Sequence, residues 1–331
     1  MHALTLPYQP AGLCLITDIA VISATGVDAS SFLHSQLTND IKSLSANHAC
    51  LAGYCTPKGR MLASMLVLKT VVDNEETLLL EVPGELQEAL QKRLQMFVMR
   101  AKVKLSNLTP TLSLLGILGD ECAQRISTWF PILPSAPYQF ISNSAGTLLR
   151  LADANQVARY QWIADSAVAE QIWPALRADL PALPQHVWAR TEILAGIPHI
   201  SLATQEKFVP QMINYELIGG VNFKKGCYPG QEIVARTHYL GKQKRRMVLA
   251  HIASSEVLSG MEVFASSDSS QPCGMVVNAE LDQSGGSDCL IEIKTTYLQD
   301  EVVRLSSGEI CQWLAMPYPL PADSADEQTA S

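Results

Sequence analysis

The sequence predicts an α+β protein built on antiparallel sheets, and three observations carry that reading. β-prone runs recur as hairpins: Ala49–Cys55, Met61–Val72 and Thr77–Val82 are parted by Thr-Pro-Lys-Gly and Asp-Asn turns. Helical stretches fall between groups of strands rather than after every strand, which argues against a doubly wound parallel sheet. From Arg246 onward the chain breaks into short strands with turn signals, as in a small β-barrel or sandwich.

Taken in order, Leu13–Ser23 is apolar and β-prone until Gly26 interrupts it. Asp28 is placed to cap a helix whose Leu33, Leu37 and Ile41 recur at spacing four and form one buried stripe. After the hairpins, Glu85–Arg100 is helical, with Leu86, Leu90, Leu94 and Phe97 on one face. Thr111–Leu118, Cys122–Phe130, Gly146–Leu151 and Tyr160–Ala164 continue the mixture. Ala167–Asp179 and His186–Leu194 read as two more helices, separated by Pro181 and Pro184. A long aperiodic segment follows Gly196, and such a segment inside a compact protein usually carries function. The C-terminal strands are Met247–Ile252, Glu262–Ala265, Gly274–Ala279, Cys289–Ile293 and Val302–Leu305. The last residues, from 319 to 331, are polar and expected to be disordered.

A chain of 331 residues, 47% of them hydrophobic, has material for two or three packed domains. Its net charge of −8 argues against general polyanion binding unless basic residues are concentrated locally. No basic leader precedes Pro7 and Pro10, and no run of about 18 apolar residues occurs, so neither a signal peptide nor a membrane span is expected. Eight scattered cysteines without a C-x-x-C pair fit a reducing, cytoplasmic setting. Cys50 and Cys55 have no second ligand pair nearby and read as buried small hydrophobes, so no metal site is expected.

The stretch Phe223–Glu232, FKKGCYPGQE, stands apart. Gly226 and Gly230 bracket Cys227-Tyr228-Pro229, which favours a tight turn, and Gln231–Thr237 can open a helix just after it. Neighbouring cations and a helix N-terminus both lower a thiol pKa, so Cys227 is a candidate reactive thiolate. Between Asn222 and Met247 seven lysines and arginines are opposed only by Glu232. That local excess would attract a phosphate, a polyglutamate tail or an RNA backbone. A cysteine hydrolase is disfavoured, because no local signature selects a histidine base.

These residues carry a resemblance. Asn214-Tyr215, Gly219-Gly220, Phe223 and Lys225-Gly226-Cys227-Tyr228-x-Gly230-Gln231-Glu232, followed by Gly241-Lys242-x-Lys244-Arg245, closely resemble the YgfZ-type folate-binding proteins, relatives of the glycine cleavage T-protein (aminomethyltransferase). Gln36-x-Thr38-Asn39-Asp40, Lys58-Gly59-Arg60 and Ala195-Gly196-Ile197-Pro198 extend it over most of the chain. The resemblance implies a three-domain cloverleaf: two interleaved α+β folate-binding domains within 1–240 (roughly 1–48 with 140–240, and 49–139) and a C-terminal β-barrel over 241–318. It implies tetrahydrofolate as ligand. It also implies a role in maintaining iron–sulfur enzymes, notably the radical tRNA methylthiotransferase.

The resemblance makes Trp188 a folate-stacking residue, with core filling on a helix as the alternative reading. A second folate-contacting tryptophan of the family falls at Ile19, which offers apolar contact without a ring. Tyr228 and Arg236 join them as candidate folate contacts, and the basic rim would hold the glutamate tail. Cys227, Lys225, Gln231 and Glu232 form the candidate functional set, with Cys227 facing the folate cavity. One cysteine cannot complete a four-ligand cluster site, so any cluster would need outside ligands. T-proteins have Glu-Ala-Gly where this chain has Leu194-Ala195-Gly196. Glu192, two residues earlier on a helix, points about 200° away from that position. The stretch Gly59–Ser64 also lacks the catalytic aspartate of aminomethyltransferases. The expectation is therefore a non-enzymatic or weakly catalytic folate-binding accessory protein. The alternative is a folate-dependent one-carbon transferase or demethylase, with Glu192 or Asp40 as pocket carboxylate. Direct RNA binding by the basic segment is a third reading, disfavoured by the acidity and by an aromatic content of only 6%.

Overall fold

The computed structural model describes residues 10–72, 75–240, 243–299 and 302–321. Most of the expected disordered tail, from 322 onward, lies outside the described residues, as do Gly241 and Lys242.

Every strand pair in the three sheets is antiparallel, as the hairpin pattern predicts. One five-stranded sheet runs Ala49–Cys55, Met61–Val72, Glu75–Pro83, Ile19–Thr25, Lys104–Asn107. The other runs Gly12–Ile16, Leu112–Leu118, Arg159–Asp165, Gly146–Arg150, Phe140–Asn143. The third has six strands and curls into a half-barrel, in the order Val303–Leu305, Glu262–Ala265, Asp268–Leu281, Ser287–Lys294, Arg245–Ile252, Cys311–Leu314. A lone bridge from Arg304 to Ile310 draws its edges together. Among the described residues no helix is long and apolar enough to cross a membrane.

The first two sheets each draw strands from both 1–48 and 49–139. The run Leu13–Ser23 is two strands, Gly12–Ile16 and Ile19–Thr25, which part at Thr17-Asp18 and enter different sheets. Leu112–Leu118 then crosses back to pair with Gly12–Ile16. A period-two pattern records which faces are buried but not a corner between sheets, and the run is buried on both sides of that corner.

Two helix expectations also shift. The helix after Asp28 is short, Ala29–Gln36, and Asp28 accepts from Lys102 N at 2.8 Å instead of capping it. Leu37 and Ile41 lie beyond the helix, yet both are as fully buried as Leu33. The later helix is a 3-10 turn, Gly84–Leu86, leading into Gln87–Val98. Its buried row is Leu90, Leu94 and Val98, at i, i+4 and i+8, which leaves Phe97 46% exposed.

The long segment after Gly196 is held by side chains rather than by regular structure. Fully buried Asn214 donates to Met247 O at 2.7 Å, and Tyr215 OH donates to Ala52 O at 3.1 Å. Fully buried Thr38 donates to Gly220 O at 2.6 Å and accepts from Gly53 N at 2.7 Å, which ties the segment to the end of the first helix and to the hairpin. Helix Gln185–Leu194 is fastened to the half-barrel by Arg190 Nε, which donates to the buried Asp288 carboxylate at 2.7 Å. His251 Nδ1 approaches that carboxylate at 3.1 Å.

Candidate functional site

A cavity of about 580 Å³ opens where the three sheets meet. Its apolar wall includes Ile19, Leu66 and Trp188. Trp188, on helix Gln185–Leu194, is 4% exposed. It lies flat against Gly116: a Cβ there would come within 2.3 Å of the indole, so only glycine lets the helix approach the strand this closely. The Arg159 guanidinium lies 4.9 Å from the indole centroid.

The polar wall comes from strand Arg159–Asp165. Tyr160, Trp162 and Ala164 fill one core, while Arg159 and Gln161 alternate with them and line the cavity. Gln161 Nε2 lies 2.7 Å from both carboxylate oxygens of Glu81, itself only 6% exposed. Burial pushes the Glu81 carboxyl up to about 7, against the pull of Gln161 and His199. Glu280, on the half-barrel side, is also raised to about 7, by burial first and then by the charge of Asp18. Fully buried Arg159 is paired with Glu192, whose other oxygen lies 3.4 Å from His199 Nε2. Arg159 Nε has no partner among the described residues, so a buried donor is left over beside the cavity. Of the stretch Gly59–Ser64, Ser64 reaches the wall, its hydroxyl accepting from Ile200 N at 2.9 Å.

The expected residues therefore separate into two places. Trp188 and Ile19 meet in the cavity, and Glu192 joins them. Cys227, Lys225, Tyr228, Gln231, Glu232 and Arg236 do not line it. Cys227 is exposed, so the expectation that its sulfur faces the cavity is corrected: the thiol sits on the outer surface. The loop is directed outward because it docks on the hairpin tip. Gly230 has φ +82°, and a Cβ there would lie 2.5 Å from Thr56 O. Helix Gln231–Leu240 starts at once behind the loop, with Val234 N donating to Gly230 O at 3.2 Å.

Lys225 is turned inward. It is 8% exposed, and its ammonium donates to His34 O and Leu37 O. Those carbonyls close the helix Ala29–Gln36, so Lys225 satisfies groups the helix end leaves open. Burial lowers its pKa to about 8, partly offset by Asp40 and Cys227. Tyr228 is buried beneath that ammonium, 4.8 Å from ring centroid to Nζ. Two other cations of the basic segment are also engaged, Arg245 with Glu292 and Arg246 with Glu216. Asp40 is bound to His34 and Ser43, away from the cavity lining. The other seven cysteines are buried or half-buried, and burial pushes Cys14 up to about 11 and Cys55 to about 12. Among the described residues no group of three or more His, Cys, Asp or Glu is placed to hold a metal ion.

No protein-family profile matches the chain. The tRNA-modifying protein YgfZ of Photorhabdus laumondii is 35% identical over 253 residues, 76% of this chain and 74% of that protein. The chain belongs to the YgfZ family. The YgfZ proteins of Escherichia coli (30% identical, 72% of each chain) and Edwardsiella ictaluri (29% identical, 98% of this chain and 96% of that one) are similar relatives. Among solved structures, the glycine cleavage system aminomethyltransferase T of Bartonella henselae superposes with a TM-score of 0.72 over 93% of this chain and 85% of that one. At 14% identity the shared property is the fold. YgfZ membership and the T-protein fold thus meet in one chain whose sheets surround a large cavity.

Glu81, Arg159, Gln161 and Glu280 were not singled out by sequence reasoning. Two signals existed. Glu81 interrupts the apolar run Leu78-Leu79-Leu80, and Arg159 and Gln161 sit two apart, on one face of a strand whose other face is apolar. Glu280 gives no such signal, because it alternates with Ala279 and Leu281 in line with Asn278 and Asp282, the pattern of an ordinary solvent-facing strand face.

Proposed function

We propose that this protein is a tetrahydrofolate-binding accessory protein that supports iron–sulfur enzymes, and through them tRNA modification, in the cytoplasm. One observation carries the folate reading: the cavity has a tryptophan wall facing buried hydrogen-bonding groups. A flat pterin would gain apolar contact from Trp188 and Ile19. Its amino and ring N–H donors would suit the Glu81 carboxylate, and the spare N–H of Arg159 would suit a carbonyl. The tRNA link is supported by the name shared by the relatives. Cys227 then acts at the outer surface, where a client enzyme can reach it, and Lys225, Gln231 and Glu232 shape the loop that presents it. Tyr228 belongs to that framework, and Arg236 would act at the rim rather than on the pterin.

The test is calorimetric titration with tetrahydrofolate. The Trp188→Phe variant keeps the wall filled but shrinks the ring, and it should bind about fivefold more weakly, in line with an aromatic contact of roughly 1 kcal/mol. Affinity equal to wild type would remove Trp188 from the site.

A catalytic reading is favoured by one observation, the carboxyl of Glu81 held near neutral pKa inside the cavity, where it could pass a proton. Incubation with 5,10-methylene-tetrahydrofolate and small amines should yield no turnover. Measurable product that disappears in Glu81→Gln would replace the accessory reading with a transferase.

A further inference from the structure

The surface around Cys227 is basic and aromatic in an otherwise acidic protein of net charge −8. Phe223 and His238 stack with centroids 3.7 Å apart and planes within 12°. Tyr239 meets both rings edge-on, at 6.2 and 4.9 Å, and is itself 65% exposed. The rings belong to the motif loop and the helix behind it. Four exposed cations lie on the elements around them. Lys224 follows Phe223 in the loop, and Arg236 lies on the helix. Lys58 is on the hairpin tip, next to Gly59, where a Cβ would touch Ile233 at 3.1 Å. Lys42 acts on His34, whose Nε2 lies 3.6 Å from the place a Gly226 Cβ would take. Among the described residues, the carboxylates near this face are Glu232, which is exposed, Asp40, which is bound to His34 and Ser43, and Glu216, which is buried, paired with Arg246 and within electrostatic reach of His238.

From this arrangement we infer that the face carrying Cys227 is a binding surface for single-stranded RNA. An acidic protein would need the cations alone. Exposed rings set among cations suit a strand whose phosphates and bases alternate, since each base offers a face to stack on and each phosphate a charge to neutralise. The low overall aromatic content does not oppose this, because Phe223 and Tyr239 are gathered at this one place with the His238 ring. The inference does not depend on folate: the cavity is lined by other residues.

Fluorescence anisotropy with a labelled twelve-nucleotide single-stranded RNA tests it, with a labelled polyglutamate peptide of similar charge as rival ligand. The RNA should bind in roughly the 1–100 µM range near physiological salt, and its affinity should fall with salt at about 0.7 log units per log unit for each phosphate held. Lys58→Ala/Lys224→Ala/Arg236→Ala should flatten that slope by about 2. Tyr239→Ala, at an exposed position, should weaken RNA by roughly fivefold or more while leaving the salt slope unchanged. Circular dichroism of each variant at the assay temperature should match wild type. Absence of RNA binding overturns the inference. So does polyglutamate binding as tightly as RNA with no effect of Tyr239→Ala, which would make the face a dock for an acidic protein.

Discussion

Glu192→Ala should destabilise the protein by about 3–5 kcal/mol, the cost of leaving a buried charge without its partner. Arg159 is fully buried and Glu192 is its ion pair. Its Nη1 otherwise donates to Ala152 O at 3.2 Å, and its Nε is unpartnered among the described residues. Removing the carboxylate leaves a guanidinium held by the Ala152 carbonyl and the Trp188 face, neither of which carries a counter-charge. Denaturant midpoints will measure the loss. The double variant Arg159→Met/Glu192→Leu should recover most of it, because an apolar pair avoids the desolvation that two charges suffer. A Glu192→Ala protein within 1 kcal/mol of wild type would show that Arg159 is not confined as described.

The second large effect is on pH dependence. Glu81 is raised in the folded state to about 7, by burial first, while in the unfolded chain it titrates near 4.3. Between those values the folded protein holds a proton that the unfolded chain has released, so stability falls as pH rises through that window. The stabilising contribution is complete below the unfolded value and lost above about 7. At roughly 1.4 kcal/mol per pH unit the loss amounts to about 4 kcal/mol. Glu280 acts in the same direction and more weakly, because it keeps contact with solvent. Glu81→Gln mimics the neutral acid and retains an acceptor for Gln161. It should be more stable than wild type by about 4 kcal/mol at pH 8 and equal to it near pH 4. Parallel stability curves for the two proteins across pH 4–8 would contradict the burial of that carboxyl.

The elements most legible in the sequence are those where local pattern and tertiary demand agree. Met61–Val72 folds as read, and Thr77–Val82 forms as a strand that extends to Glu75–Pro83. Met247–Ile252 and Cys289–Ile293 likewise form, extended to Arg245–Ile252 and Ser287–Lys294. The motif loop announced its turn and the helix behind it through Gly226, Pro229 and Gly230. What the sequence did not reveal is direction. Lys225 and Cys227 are two residues apart, yet one is 8% exposed and capping a helix while the other is on the surface. Loop residues have no fixed period from which a face can be read. The cavity was half legible: the family pattern picked out Trp188 and Ile19, while the polar groups opposite come from strands remote in sequence. Glu81 and Gln161 are 80 residues apart, and only tertiary folding joins them.

The chamber beside Trp188 takes Ile19 from one sheet, Gln161 from a second and Asn278 from the half-barrel. No contiguous piece of this chain therefore owns it. A fragment retaining any one lobe would keep a wall without an enclosure. Whatever small molecule lodges there would serve as a keystone, its affinity a direct report on whether all three lobes are standing together.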